Sequence, residues 1–295
     1  MSPSASARRK DRILVALLRA SAVVAGLVLL LVLLFVCLEA WPALSSVGWA
    51  RFFTDPSWHP ATQAADGRFN LLPMLWGTLY AMLGSVLVAT PLGVLSAVFC
   101  HFYAPSWIAR LYRRLIELLA GIPSVVYGFW GLVVLVPLIR ELHPPGPSLL
   151  AGILVLTLMI LPTIALMADA ALANVPRHYL HSAAALGLSR WGTVCKVVLP
   201  AARSGLFTGV ILQTGRAIGE TMAILMVCGN IVQTPDSLFD PIRTLTANIA
   251  LEMAYAAGDH RAALFVTGLI LLGMIVALAA AAEMIGRGKV HHAVV

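Results

Sequence analysis

The sequence predicts an all-α integral membrane protein with six transmembrane helices and both termini in the cytoplasm. Three observations predict it. Of the 295 residues, 60% are hydrophobic and 11% charged, with a mean hydropathy of +0.91. That is more apolar surface than a soluble core uses. Six apolar runs, at 13–38, 71–102, 115–139, 148–172, 204–232 and 262–285, each reach the roughly 20 residues that a bilayer core requires. Lipid offers the backbone no hydrogen-bond partner, so these runs fold as helices. Finally, the cations are asymmetric. With a cytoplasmic N-terminus, fourteen Lys and Arg residues fall on the cytoplasmic side, among them Arg8, Arg9, Lys10, Arg113, Arg177, Arg190, Lys196 and Lys289. Only Arg51, Arg68, Arg140, Arg243 and Arg261 fall on the other. This is the positive-inside pattern. It accounts for the net charge of +7 without nucleic-acid binding.

The elements follow in order. Ile13 to Leu38 is longer than the roughly 7–15 apolar residues of a secretory signal, so it reads as an uncleaved first span. The external segments 39–70 and 233–261 are polar, carry Asp55, Asp66, Asp236, Asp240, Glu252 and Asp259, and predict turns and short helices. Residues 1–70 thus comprise the cytoplasmic N-terminus, first transmembrane helix and external loop. Residues 71–285 form a core of five transmembrane helices, and 286–295 a cytoplasmic tail. Pro91, Pro123 and Pro162 predict kinks, whose freed carbonyls can line a cavity. Gly121, Gly128 and Gly131, with the pairs Gly205/Gly209 and Gly215/Gly219, predict close helix packing. Asp169 falls near the inner end of span four, where it can reach water. Cys37, Cys100, Cys195 and Cys228 lie far apart, so neither a disulfide scaffold nor a zinc ribbon is expected.

The longest cytoplasmic loop, 174–203, breaks the apolar pattern. Asn174 and Pro176 can open a helix that runs through Ala183, Ala184, Ala185 and Leu186. Gly187 is a left-handed terminator. Ser189 can cap a second short helix over 190–198, which Pro200 ends. His178 and His181 stand one helical turn apart, but no third ligand is near, so no metal site is assigned.

Gly187, nine residues, then Val197-x-Leu199-Pro200 resembles the cytoplasmic loop that characterises ABC-transporter permeases. "WGTLYAMLGSVLVATPLGVLSAVF" (76–99) resembles the start of the core of those permeases. "GIPSVVYGFWGL" (121–132) and "GRAIGETMAILMVCGN" (215–230) resemble the permeases of phosphate-specific importers, the C-type subunit more than the A-type. The resemblance covers about 70–285 and implies a type I importer permease in the bacterial inner membrane. It implies that the loop docks on a separate ATPase through His181, Ala183, Ala184, Gly187, Val197, Leu199 and Pro200. Where the family usually has Glu-Ala-Ala, this chain has His181-Ser182-Ala183. The implied partners are a second permease of the A type, two cytoplasmic ATPase subunits that bind the ATP, and a periplasmic phosphate-binding protein. Gly121, Pro123 and Ser124 become gate candidates.

Arg216 and Glu220 are four residues apart in the fifth run and are expected to share a helix face. Counted from residue 204, Arg216 lies about 18 Å into a core of about 30 Å. An Arg there costs on the order of 2.5–3.5 kcal/mol. An i,i+4 pair returns only roughly 0.2–0.5 kcal/mol. The pair is therefore expected to face a substrate path, with a helix-packing ion pair as the alternative.

The sequence holds no G-x-x-x-x-G-K-[ST] loop, and "GRGK" at 286–289 has the wrong spacing, so the chain is not expected to bind ATP or act as an enzyme. An intramembrane hydrolase would need a Ser/His arrangement that Ser124 and His101 do not supply. Besides a phosphate permease, two readings stay open: import of another oxyanion or small polar solute, and an ion-driven secondary transporter.

Overall fold

The computed structural model describes residues 5–287. The tail expected at 286–295 lies outside it beyond Arg287, as do the side chains of Arg8, Arg9, Lys10 and Arg12.

The chain opens with a 42-residue helix, α1 (Ala5–Ser46). A short module follows: α2 (Arg51–Thr54) and a two-stranded antiparallel hairpin, β1 (Trp58–His59) and β2 (Arg68–Phe69). Next come α3 (Leu72–Val98), α4 (Ser106–Ala120), α5 (Ser124–Trp130), α6 (Val136–Leu142) and α7 (Leu149–Ala173). The polar stretch after α7 holds α8 (Arg177–Ala185) and α9 (Arg190–Thr193). The chain ends with α10 (Leu199–Ile218), α11 (Met222–Val227), α12 (Leu245–Glu252) and α13 (Gly258–Arg287).

Among the described residues, six helical stretches are long and apolar enough to cross a membrane: Ile13–Ser46, Leu72–Tyr103, Ser124–Leu142, Leu149–Ala173, Arg190–Ile218 and Gly258–Ala281. Four agree with the expected spans to within a few residues at one or both ends. Spans three and five do not. Residues 115–120, expected to begin span three, belong to α4, a separate amphipathic helix that buries Ala109 and Ile116. Its opposite side exposes Trp107, Leu111, Leu115 and Leu118. Span five begins at 190 and stops at Ile218, so the expected run of 204–232 is cut in two.

Pro200 does not end a helix. The turn over Val194–Val198 is π-helical and leads straight into α10. A second π turn, Gly131–Leu135, precedes Pro137 in span three. A helical proline lacks an N–H and crowds the carbonyl four residues back. A widened turn relieves both problems, and the helix continues.

Spans two and four pack through small residues. A Cβ at Gly84 would stand 2.5 Å from Ile153 Cδ1, and one at Gly93 would stand 2.8 Å from Ile164 Cγ2. Without a hydrophobic drive between helices in lipid, such close approach supplies the attraction. Among the described side chains, those of the C-terminal part of α1 join the bundle. Phe35 meets Phe265 edge-on at 5.7 Å, and Glu39 pairs with Arg261 at 3.2 Å. Residues 13–34 are exposed along their length.

The far end of the bundle from α8 is tied by a buried polar network. The Glu252 carboxylate contacts Arg243 Nη1 at 2.6 Å and His260 Nε2 at 2.9 Å, and accepts Trp58 Nε1–H at 3.0 Å. Arg243 also donates to the Asn230 carbonyl at 2.9 Å and to Asn248 Oδ1 at 3.1 Å. One carboxylate therefore joins the hairpin, the 229–244 loop, α12 and α13. At the opposite end, Ala97, Val98, Ala168, Leu172, Val175, Val194, Val198 and Ala202 form a smaller core beneath α8 and α9.

Candidate translocation path and coupling surface

The polar segment after α7 folds as a helix, a glycine bend and a second helix. Asn174 caps the end of α7 rather than the start of α8, and Pro176 is the residue immediately before α8. The Gly187 N–H donates to the Ala184 carbonyl at 3.0 Å, and the Leu188 N–H to the Ala183 carbonyl at 3.1 Å. With Gly187 at φ +70°, this is a Schellman end. No atom lies within 4 Å of where a Gly187 Cβ would be, so the backbone angle, not space, requires glycine. Ser189 caps α9 by accepting the Gly192 N–H at 3.1 Å.

The motif residues divide into two roles. Ala183 is buried, Val198 between the motif positions is fully buried, and Leu199 packs on the inner core. Val197 is half-buried, so this side of the motif seats the loop. His181, Ala184, Gly187 and Pro200 are exposed. Beside them, Tyr179, Leu186 and Trp191 present apolar surface, with Leu186 81% exposed. Sequence reasoning missed these three side chains. Their signal was large apolar residues in a basic, small-residue loop.

Span five ends at Gly219, and the short helix α11 follows. Arg216 lies in the last turn of α10, where the helix dipole favours a cation. Glu220 lies beyond the helix end, so the two residues do not share a helix face. Glu220 Oε1 instead accepts the Ala223 N–H at 3.1 Å, satisfying the start of α11. Its own carbonyl accepts from Thr246 Oγ1 at 2.8 Å. Arg216 is exposed and, among the described residues, has no hydrogen-bond or ion-pair partner. The expected Arg216–Glu220 pair is absent because Gly219 ends the helix one residue before Glu220.

A break of the same kind precedes span three. Gly121 caps α4, and Pro123 is the residue before α5, so "GIPS" is a break between helices rather than a bend within one. The Tyr127 hydroxyl bridges the break by donating to the Leu119 carbonyl at 2.8 Å. The helices that follow the two breaks pack together. A Cβ at Gly128 on α5 would stand 2.7 Å from Ala223 Cα on α11. The fold thus brings Gly121, Pro123, Ser124, Arg216 and Glu220 into one region of paired half-helices.

The packing expectation for glycines divides similarly. Gly205 and Gly209 stack on Ala171 and Met167, and Gly131 on Val155 and Val227. Gly215 faces open space, and Gly121 and Gly219 meet only their own helices' carbonyls.

Asp169 does not simply reach water. Its Oδ2 lies 2.9 Å from Arg113 Nε and its Oδ1 accepts from Arg113 Nη2 at 3.0 Å, with His101 Nδ1 at 3.4 Å. Hydrogen bonding to Asp169 raises the Arg113 pKa further, and burial raises that of Tyr112 beside it. Arg113 is therefore charged at every working pH.

Residues 89–290 match the profile of the binding-protein-dependent transport system inner membrane component family. The chain belongs to that family. This permease is 42% identical over 228 residues to the probable ABC transporter permease protein YqgH of Bacillus subtilis (strain 168), covering 76% of this chain and 73% of the relative. It is 35% identical over 286 residues to the phosphate transport system permease protein PstC of Mesorhizobium japonicum, covering 90% and 85%. Among solved structures, a chain of a bacterial alginate ABC transporter matches at a TM-score of 0.66 and 14% identity over 95% of each chain. A chain of the MetNI methionine ABC transporter matches at 0.56 and 21% identity, covering 74% of this permease and 93% of that chain. These two likenesses establish the fold, that of ABC importer permeases.

Proposed function

We propose that this chain is the transmembrane permease subunit of an ATP-driven importer of inorganic phosphate in a bacterial inner membrane, with both termini cytoplasmic. The observation that carries the reading is Arg216, a guanidinium without an ion pair among the described residues, at the end of span five and close to the break that precedes span three. Discontinuous helices of this kind form substrate sites in other transporters, because their ends expose backbone polar groups inside the membrane. A guanidinium fork matches two phosphate oxygens, which gives both charge and geometry. The relatives named as phosphate permeases support phosphate over other anions.

In this reading Arg216 meets the anion on the path, and Glu220 fixes the start of α11 so that the guanidinium stays oriented. The Gly121–Pro123–Ser124 break is the gate. The exposed surface of α8 and α9 docks on one of two cytoplasmic ATPase subunits, which bind the ATP. Closure of the ATPase pair moves α8 and α9, and the seated motif passes that motion to spans four and five. A second permease of the A type covers the open side of α5 and α11 and completes the path. A periplasmic phosphate-binding protein delivers the anion at the end held by Glu252.

The test is uptake of labelled phosphate at low external concentration by cells with and without this chain, the ATPase and binding-protein genes left in place. Uptake that collapses without the chain and returns with it supports the reading. Unchanged uptake in cells that carry no second copy overturns it in favour of another solute.

A further inference from the structure

The Asp169 contacts lie outside the path, between the coupling segment and the helix that leads to the Gly121–Pro123 break. Asp169 is on α7, one turn before that helix ends at Ala173, and α8 starts at Arg177. Arg113 is on α4, which ends at Ala120, directly before the Gly121–Pro123 break. His101 is in the π turn Phe99–Tyr103 that closes span two. One carboxylate thus holds the ends of spans two and four and the surface helix. The carboxylate is 17% exposed; it accepts a hydrogen bond from Arg113 Nη2 at 3.0 Å and lies 2.9 Å from Arg113 Nε, an ion-pair contact without an aligned hydrogen bond.

The lever arms are rigid and short. About two helical turns of α4, roughly 12 Å, separate Arg113 from Gly121. A similar length of chain separates Asp169 from the first turn of α8. The remaining grip on α4 is limited, since it buries only Ala109 and Ile116 while its Trp107, Leu111, Leu115 and Leu118 edge is exposed. A helix held by little apolar burial, the Tyr127–Leu119 hydrogen bond and one ion pair moves with the group it is paired to.

We propose that Asp169 is a positioning residue for transport: through Arg113 it locks α4, and therefore the Gly121–Pro123 break, to the movement of the coupling segment. This rests on the permease reading above. It adds a mechanical link between the ATPase-facing loop and the gate that neither the loop motif nor the break contains. Asp169 touches no substrate in this scheme. Its charge matters because it makes α4 and α7 move as one body.

The experiment uses the full complex with its ATPase partners. Asp169→Asn keeps the size and an acceptor but removes the charge. Arg113→Asp removes the other partner, and the exchanged double variant Asp169→Arg/Arg113→Asp restores a pair. Uptake of labelled phosphate is measured beside labelling of Gly121→Cys by a thiol reagent, with and without ATP plus vanadate. The chain with native Gly121 supplies the background. Each single variant is expected to lower maximal uptake about tenfold with unchanged half-saturating phosphate and unchanged complex yield. Each should also abolish the nucleotide-dependent change in labelling, and the exchanged pair should recover both in part. Singles that transport and switch as the parent does would overturn the proposal. So would singles that lose uptake only in proportion to lost complex, with no recovery in the exchanged pair, since that marks a purely structural tie. If the parent complex takes up no phosphate, the phosphate reading fails by itself. The labelling comparison still decides the link, because it does not depend on the solute.

Discussion

Arg243 and Arg216 are both cations in a strongly apolar chain, and the fold treats them oppositely. Arg243 is mostly buried and bonds Asn230, Asn248 and Glu252, while Glu252 is further held by Trp58 and His260. Arg216 is exposed at the end of α10 and has no hydrogen bond or ion pair among the described residues. A buried charge is tolerated only when its partners replace the water it lost. Arg243 is in that state within the chain. Arg216 reaches it only through something outside the chain, and an anion on the path or a facing subunit would serve. The first arginine is architecture, and the second is an open valence.

Substitutions at four positions test that contrast, from large effect to small. Glu252→Leu leaves Arg243, His260 and the Trp58 N–H without their shared acceptor. Breaking a buried pair by removing one partner costs about 3–5 kcal/mol, so thermal unfolding of the purified complex should show a large loss of stability. Arg216→Gln should leave that unfolding within about 0.5 kcal/mol of the parent, as for surface changes. Its transport rate should fall tenfold or more, about 1.4 kcal/mol in the relevant free energy. Gly187→Ala forces a side chain into the left-handed region at a cost of roughly 1–2 kcal/mol. That should weaken co-purification with the ATPase subunits severalfold, and Gly187→Asn should weaken it less. Glu220→Gln keeps an acceptor for the Ala223 N–H, so its effect on stability should be a few tenths of a kcal/mol, with Glu220→Ala nearer 1 kcal/mol, the usual value of a lost cap.

The contrast also marks where the sequence was legible. Apolar run length revealed six spans and the glycine-bent loop, because both are local properties. It misplaced spans three and five for a physical reason. "LIELLA" at 115–120 is apolar in composition but sits on an amphipathic helix whose basic side carries Arg110, Arg113 and Arg114. That 3.6-residue alternation was the available signal. In span five, Gly219 looked like a packing residue within a continuous apolar run, whereas it ends the helix and separates Arg216 from Glu220. The π turns before Pro137 and Pro200 left no local mark beyond the prolines themselves. The Glu252 network was not legible at all, since Trp58 and Glu252 are 194 positions apart and meet only through the fold. Asp169 was visible as an acidic residue at a span end, but its partners on α4 and span two were not.

The most direct measurement is phosphate uptake by the reconstituted complex carrying Arg216→Gln, read beside the thermal midpoint of the same preparation. Uptake reduced tenfold or more with an unchanged midpoint is the expected result, and it places the function of Arg216 with the anion. Uptake equal to the parent's, or a loss that follows destabilisation of the complex, would contradict a phosphate-binding role and leave Arg216 as a contact between subunits.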